Sequence, residues 1–254
     1  MDLVELNGLD SSRHPWELAR LEIVYKHILN VSKAHQKSSL KLLDVGSGDG
    51  YFIREICRRL PQAEAIAVDI EYTDRMLEQL QAANKDLQQR VRYLKDLAEV
   101  PVQDYDIVIL LDVIEHVADV KGIFSHIFTR LSHDASFIVT VPAFQNLFCS
   151  HDVFLKHYRR YTTALLQQHL EQSNIKVIKK GYFFFSLLLP RLLQVIREKL
   201  AGDKTAHQNG IGKWSKGNTV TNLIKKVLVT DAGVSAKLGL PGLSVYAIGK
   251  SKVK

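Results

Sequence analysis

The sequence predicts an α/β protein with a doubly wound, mainly parallel sheet of seven strands and helices on both faces. Short apolar runs of strand length alternate with stretches of helical period between residues 40 and 182. Such buried runs, without strict apolar–polar alternation, are typical of parallel strands covered on both faces. The last predicted strand follows only after residues 183–241, which indicates a helical insertion before it.

The elements follow one another in a regular order along the chain. A first helix is predicted over His14–His35, because Trp16, Ile23 and Val31 recur at helical spacing and Pro15 suits a first turn. Glycines, Pro61 and Pro142 end later elements. The predicted strands are Leu40–Val45, Ala63–Ile70, Val91–Leu94, Tyr105–Asp112, Ser136–Val141, Ile175–Tyr182 and Leu243–Gly249. The other predicted helices are Tyr51–Leu60, Thr73–Leu87, Val117–Leu131 and Thr162–Ser173, with residues 143–161 as a long loop.

One domain is expected over residues 1–254. Its expected parts are an N-terminal helical segment (1–39), a core (40–182), a basic and apolar helical insertion (183–241), and the last strand with a basic tail (242–254). Cys57 and Cys149 form no Cys-x-x-Cys pair, so we expect no disulfide framework, no metal site and a reducing, cytoplasmic setting. Residues 1–10 do not resemble a signal peptide. The longest apolar run, Tyr182–Leu189, is far shorter than the roughly 20 residues that span a bilayer.

The net charge of +7 is concentrated in the insertion. Residues 183–241 hold nine Lys and Arg against three Asp and Glu, a difference of +6. A local basic excess indicates either an anionic partner, such as a phosphate-bearing substrate, nucleic acid or a membrane surface, or a solvated face. An apolar stripe that includes Val220, Leu223 and Val227 lies beside Lys225 and Lys226. This pattern fits a lid over a site, or peripheral contact of residues 183–230 with the inner face of a membrane.

A glycine-rich turn follows the first strand and opens the next helix. Its glycines, Gly46, Gly48 and Gly50, allow a tight turn and close approach of the backbone to a ligand. It lacks the dinucleotide-binding spacing, because residue 51 is Tyr, and it lacks the Gly-Lys-Ser/Thr of a phosphate-binding P-loop. Acidic residues follow the neighbouring strands, at the edge where a doubly wound sheet binds ligands. The candidate binding residues are Asp44, Gly46, Ser47, Gly48, Gly50, Asp69, Ile70, Asp96, Leu97 and Asp112.

Three motifs carry a resemblance to a known family. Asp-Val-Gly-Ser-Gly-Asp-Gly (44–50), Ala-Val-Asp-Ile (67–70) and Asp-Val-Ile-Glu-His (112–116) resemble class I S-adenosylmethionine-dependent methyltransferases, which have a Rossmann-like fold. The similarity is greatest to the small-molecule group that includes ubiquinone-biosynthesis enzymes. Residues 140–162 and 14–20 also resemble uncharacterised bacterial methyltransferases with a Val-Pro-Ala…His-Asp…His-x-Arg-Arg-Tyr-Thr pattern.

The resemblance implies S-adenosylmethionine as cofactor. In that family, Asp44 and the glycines would surround the methionine part, Asp69 would bind the ribose, and Asp96 with Leu97 would lie at the adenine. The expected acceptor is a small molecule or a lipid or glycan intermediate, amphiphilic or anionic, methylated on oxygen. Two classes of alternative remain. One is an RNA methyltransferase, for which an Asn/Asp-Pro-Pro-Tyr motif after strand four is missing. The other is a non-catalytic nucleotide-binding protein or an NAD-dependent dehydrogenase, and the dehydrogenase would favour Gly at position 51.

Methyl transfer depends chiefly on alignment of the acceptor, and a general base is needed only if the acceptor must lose a proton. His116, just after strand four, is the first candidate base, and His151 and His157 are the next. Arg159 and Arg160 are candidates for binding an anionic substrate group, although one of them could instead pair with a loop carboxylate such as Asp152. Tyr161 is expected to line the pocket or to pack beneath the loop.

Overall fold

The computed structural model describes residues 13–35, 39–87, 90–201 and 214–251. Residues 1–12, Lys204, Lys213 and residues 252–254 of the basic tail therefore lie outside the described part of the chain. The strands are β1 (Leu40–Val45), β2 (Ala63–Val68), β3 (Val91–Leu94), β4 (Ile107–Leu111), β5 (Ser136–Pro142), β6 (Ile175–Phe183) and β7 (Ser244–Ser251). The helices are α1 (Pro15–His35), α2 (Tyr51–Arg59), α3 (Asp74–Ala83), α4 (Val120–Phe128), α5 (Ser150–Phe154), α6 (Thr163–Gln172), α7 (Leu188–Ala201) and α8 (Asn218–Leu238).

The seven strands form one sheet in the order β3-β2-β1-β4-β5-β7-β6. β7 runs antiparallel to both β5 and β6, and the other pairs are parallel. The predicted fold class is therefore confirmed. The strand order reverses beside β1, which pairs with β2 on one side and β4 on the other. In such sheets a ligand crevice forms beyond the carboxyl ends of the strands at this point.

The central strands are apolar because both faces of the sheet are covered. Ile107, Val108, Ile109 and Leu110 of β4 are all fully buried, and they alternate between two core clusters. Val108 and Leu110 belong to the cluster that includes α4 and α6, whereas Ile107 and Ile109 belong to the cluster that includes α1, α2 and α3. A sheet packed in this way holds the strand ends that carry the site.

Three of the differences from the sequence-based element boundaries lie next to the site. β2 ends at Val68, so Asp69 and Ile70 lie in the following loop. The helix predicted over Val117–Leu131 is shorter in the structure, where α4 starts at Val120 because Asp119 caps it by accepting from the Gly122 amide at 2.9 Å; a 3-10 turn at Ile114–His116 precedes it. The loop predicted over residues 143–161 contains the short helix α5, whose first amides Asp152 helps to cap.

The insertion leaves the β6–β7 hairpin intact, since Tyr182 pairs directly with Val245 across the two strands. α8 packs against α1, and Leu228 and Ala232 lie in a core cluster with Phe183 and Tyr246. α7 contacts mainly the short turns at Phe185–Leu187 and Gln145–Leu147. No helix in the described ranges is long and apolar enough to cross a bilayer.

Candidate active site

The glycine turn after β1 requires backbone conformations that other residues rarely adopt. Gly46, Gly48 and Gly50 have φ angles of 68°, 55° and 65°. A Cβ atom on Gly46 would lie 2.5 Å from Cγ2 of Val113, so the turn passes too close to the next loop for any side chain. The Gly46 and Ser47 amides both donate to the Val68 carbonyl, at 2.8 and 3.2 Å. The turn is therefore fixed against the end of β2.

Asp44 and Asp69 present carboxylates around this turn. Asp44 is almost fully buried and its Oδ2 has no hydrogen-bond partner, so burial raises the pKa of Asp44 to about 8. Asp69 accepts from the Gly48 amide through Oδ2 at 2.8 Å and from the Glu71 amide through Oδ1 at 3.0 Å. A buried carboxyl oxygen without a partner suits a ligand ammonium, and the glycines leave room for a nucleoside-bearing ligand. The residues present thus fit S-adenosylmethionine.

A cavity of about 470 Å³ connects this turn to a side lined by His116, His151 and His157, here called the histidine wall. The Ser47 side chain forms a buried hydrogen bond of 2.7 Å between its hydroxyl and that of Tyr72. The predicted residues that line the cavity on the glycine-turn side are Gly46, Gly48, Asp69, Ile70, Leu97 and Asp112. Those on the opposite side are His116, His151, His157 and Arg160, whereas Asp44, Ser47 and Gly50 do not line the cavity. The structure therefore brings together predicted residues from five separate loops.

Asp152 organises the histidine wall. It is fully buried, and its Oδ1 accepts from Nδ1 of His157 at 2.9 Å and from Nε of Arg160 at 2.7 Å. Its Oδ2 accepts from the Cys149 amide at 2.9 Å and from Nη2 of Arg191 at 3.1 Å. Burial by itself would raise the pKa of Asp152, but the His157 hydrogen bond and the Arg160 charge hold it well below its usual range. The neighbouring His151 has a pKa lowered to about 4 by burial and by Arg191, so it is neutral near pH 7.

Glu115, His116 and His157 form a second cluster on the same wall. Glu115 is fully buried, neither of its carboxyl oxygens has a hydrogen-bond partner, and burial raises its pKa to about 8. The rings of His116 and His157 meet edge to face with centroids 4.6 Å apart. The three residues offer ligand atoms within 4.8 Å of one another, so they can hold a metal ion that the sequence did not predict.

Two predicted substrate-binding residues have hydrogen-bond partners within the protein. Tyr161 is fully buried and its hydroxyl donates to the Ile114 carbonyl at 3.3 Å, so the structure does not support contact with a substrate. Arg159 does not line the cavity; its Nη2 donates to the Ala118 carbonyl at 3.0 Å. Arg160 lines the cavity but pairs with Asp152, which is the alternative that the sequence left open for one of the two arginines.

Two predicted cofactor-binding residues, Asp96 and Asp112, also have hydrogen-bond or ion-pair partners within the protein. Asp96 does not line the cavity; its Oδ1 accepts from the Ala98 amide at 2.8 Å and caps a 3-10 turn, so its predicted contact with adenine is not supported. Asp112, in a left-handed conformation with φ of 55°, lines the cavity and forms an ion pair with Arg20.

Sequence reasoning missed several cavity residues, among them Trp16, Arg20, Glu115 and Arg191. Trp16 and Arg20 lie in the 14–20 segment and Glu115 in the 112–116 motif, so the resemblance had marked both places without assigning them a role. Arg191 belongs to α7, in the insertion, and no local motif signals that it reaches Asp152. Such a contact depends on how the insertion folds back.

Comparison with known proteins identifies the family. A family model described as "Methyltransferase domain" matches residues 19–180, more than half of the chain. The chain belongs to this family. The prediction of a class I S-adenosylmethionine-dependent methyltransferase with a Rossmann-like fold is thereby confirmed. The likeness to a particular subgroup remains a prediction. Comparison with curated protein sequences gave no significant match.

Solved structures of methyltransferases share the fold. A putative sarcosine dimethylglycine methyltransferase from Galdieria sulphuraria has a TM-score of 0.57 and 14% identity, over 92% of this chain and 86% of that one. A geranyl diphosphate methyltransferase in complex with SAM has a TM-score of 0.57 and 12% identity, over 94% and 86%. Coclaurine N-methyltransferase bound to N-methylheliamine and SAH has a TM-score of 0.54 and 13% identity, over 91% and 72%.

Proposed function

We propose that this methyltransferase transfers the methyl group of S-adenosylmethionine to an oxygen atom of a small-molecule, lipid-intermediate or glycan-intermediate acceptor. The observation that carries the proposal is the single cavity that connects the glycine turn to the histidine wall. When bound, the cofactor supplies a methyl carbon already activated by its sulfonium. Asp44 and the glycine turn would hold the methionine part and Asp69 the ribose, while Leu97 would pack against the adenine.

The histidine wall suits an acceptor that must lose a proton. Asp152 fixes the orientation of His157 by accepting from its Nδ1, which leaves Nε2 as the free ring nitrogen. His116 lies against this ring, and both residues line the cavity. A hydroxyl that reaches this wall can therefore give up its proton near pH 7 as its oxygen attacks the methyl carbon. An amine acceptor would need no such arrangement once neutral, which favours oxygen.

The insertion supplies an apolar part of the cavity lining. Phe184 and Leu187 line the cavity beside Leu243, and Arg191 adds a cation between them and Asp152. This supports a lid role for residues 184–191. Apolar walls with a few convergent polar groups are typical of sites for small ligands with a hydrophobic body. An amphiphilic acceptor fits this lining better than an RNA base presented by a large polyanion.

We propose in addition that α7 rests on an anionic membrane surface while the acceptor enters. Leu189, Leu193, Ile196 and Leu200 recur every three or four residues, so they share one face of α7, and all four are exposed. The buried Val195 lies on a different face. In a helix docked only on its own protein, the apolar stripe would face the core.

Positive charge borders this apolar face. Arg197 and Lys199 are both exposed and occupy positions on either side of the stripe, two residues apart along α7. A helix with an outward apolar stripe edged by cations matches the chemistry of an anionic bilayer surface. The location at the cytoplasmic face of a membrane agrees with the two buried, unpaired cysteines.

Vesicle co-sedimentation tests the membrane contact. We expect the protein to sediment with vesicles of phosphatidylcholine and phosphatidylglycerol, and not with pure phosphatidylcholine vesicles. Leu193→Glu should reduce the bound fraction about tenfold, because it removes an apolar side chain from the membrane contact and adds a negative charge that the anionic lipids repel. The matched control is Val102→Glu, since Val102 is 60% exposed, close to the 53% of Leu193, and lies outside α7. Equal loss in both variants, no binding to the anionic vesicles, or a stable dimer that Leu193→Glu dissociates would contradict the proposal.

A methyl-transfer assay tests the function itself. Labelled S-adenosylmethionine is incubated with the protein and, separately, with lipid extract, polar small-molecule extract and RNA. We expect label in an O-methyl product of one of the first two.

His116→Ala should lower turnover about 100-fold while the Kd for S-adenosylhomocysteine stays within twofold of wild type. The exposed His126 on α4 provides the control variant, His126→Ala. Label in RNA alone, or full activity of His116→Ala, would contradict these assignments.

A further inference from the structure

Glu115, His116 and His157 are held in place by separate parts of the fold. Glu115 and His116 belong to the 3-10 turn after β4, whereas His157 follows α5. The Glu115 carbonyl accepts from the Tyr158 amide at 2.7 Å, which ties the two segments together beside the cluster. The three potential ligand atoms lie within 4.8 Å of one another. Ligand atoms around one Zn²⁺ lie about 3–3.5 Å apart, so small side-chain rotations would complete such a site.

The carboxyl group of Glu115 lacks the partners that a buried carboxyl group normally has. Neither oxygen forms a hydrogen bond, and the side chain is fully buried yet lines the cavity. An ionised carboxylate in this position would be strongly destabilised unless a cation accompanied it. A cation that entered through the cavity would satisfy both oxygens.

His157 has the second partner that metal-binding histidines usually have. Its Nδ1 donates to the fully buried Asp152 at 2.9 Å, so the neutral ring keeps Nε2 for a metal. Carboxylate–histidine pairs of this kind orient the ring and strengthen the ligand in many metal sites. The nearby cations do not oppose a metal ion strongly, because Arg160 is paired with Asp152 and Arg20 with Asp112.

We propose that Glu115, His116 and His157 bind one divalent transition-metal ion at the acceptor end of the cavity. Two imidazoles and one carboxylate favour Zn²⁺, Mn²⁺, Fe²⁺ or Co²⁺ over Mg²⁺ and Ca²⁺, which prefer oxygen ligands. Three protein ligands leave coordination positions open, and all three residues line the cavity.

The site gives the acceptor a defined place, a conclusion that rests on the proposed function. With the metal bound, His116 and His157 would serve as its ligands and not as bases. A hydroxyl at an open position would then have a lowered pKa and would release its proton to water. Its oxygen lone pair would then form the bond to the methyl carbon, while the carbon–sulfur bonding pair goes to sulfur and leaves S-adenosylhomocysteine. Acceptors with two adjacent oxygens would bind best, since they can occupy two open positions.

Metal titration tests the site without an acceptor. Chelator-treated full-length protein is titrated with Mn²⁺ under electron paramagnetic resonance and with Zn²⁺ in a calorimeter. We expect one site per chain with a micromolar or lower Kd for Zn²⁺. Glu115→Gln and His116→Ala should each weaken binding at least tenfold, while the control His126→Ala binds as wild type does. Circular dichroism melts show whether each variant is folded, and the two variants provide independent tests.

The outcomes separate this proposal from the proposed function. Absence of one-to-one binding, or unchanged Zn²⁺ affinity in either folded variant, would overturn the metal site. Methyl transfer that continues at full rate in excess chelator would also overturn it while leaving the methyltransferase assignment intact. Zn²⁺ binding with the expected variant effects supports the site even if the acceptor in the assay proves to be wrong.

Discussion

Asp69→Ala is expected to weaken the binding of S-adenosylhomocysteine by about 100- to 1000-fold. In the structure the two oxygens of Asp69 accept from the Gly48 and Glu71 amides, so the side chain shapes the turn that surrounds the ligand. In the complex it would also accept from the ribose hydroxyls. Hydrogen bonds to a charged group contribute about 1.5–3 kcal/mol each, so loss of two at the lower end of this range, about 3 kcal/mol, already gives more than 100-fold. Isothermal titration calorimetry measures the change.

The control for this experiment is Asp74→Ala. Asp74 is an exposed carboxylate nearby in sequence, paired with Lys95 at the start of α3, and it does not line the cavity. We expect its affinity to match wild type. An Asp69→Ala variant that folds and binds S-adenosylhomocysteine with unchanged Kd would show that the pocket beside the glycine turn is not the cofactor site.

The strand pattern was predictable because burial on both faces leaves a strong local signal. β1 and β3 begin and end as predicted, since β1 is a largely buried run, β3 alternates buried with more exposed residues, and both are bounded by polar or glycine residues. The boundaries that differed depend on contacts that the pattern does not contain. The Gly122 amide bound by Asp119 sets the start of α4, and Asp152 caps α5 within the predicted loop. Side-chain caps of this kind decide where a helix begins.

The cofactor side of the site was more predictable from the sequence than the acceptor side. On the cofactor side, residues 44–50 and 69–70 are close in sequence and follow adjacent strands, so topology alone places them together. The acceptor side depends on long-range contacts. Arg191 of α7 reaches Asp152, and Arg20 of α1 reaches Asp112. Tyr161 belongs to the same motif as Arg160 but points into the core, which spacing alone does not reveal.

Asp152→Ala is expected to lower the free energy of unfolding by about 3–5 kcal/mol, the largest stability effect that we predict. The substitution would remove the partner of two nearly buried cations, Arg160 and Arg191, and of the ring of His157. The side chains of these two arginines are only 5% and 11% exposed, so water cannot replace the lost carboxylate. Removing one member of a buried ion pair typically costs this much. Urea denaturation followed by circular dichroism measures the change.

Two further variants separate charge from shape in this cluster. Asp152→Asn keeps the volume and one acceptor oxygen, so its loss of stability should be smaller than that of alanine but still above 1 kcal/mol, because the arginines lose their counter-ion. Asp104→Ala removes a carboxylate that is 51% exposed beside His133 and should leave the urea midpoint close to that of wild type. If Asp152→Ala were as stable as Asp104→Ala, the buried cations would have to find other partners, and the histidine wall would not depend on this carboxylate. Since α7 reaches the wall through Arg191, loss of Asp152 should also loosen the insertion, and proteolysis within α7 should become faster than in wild type.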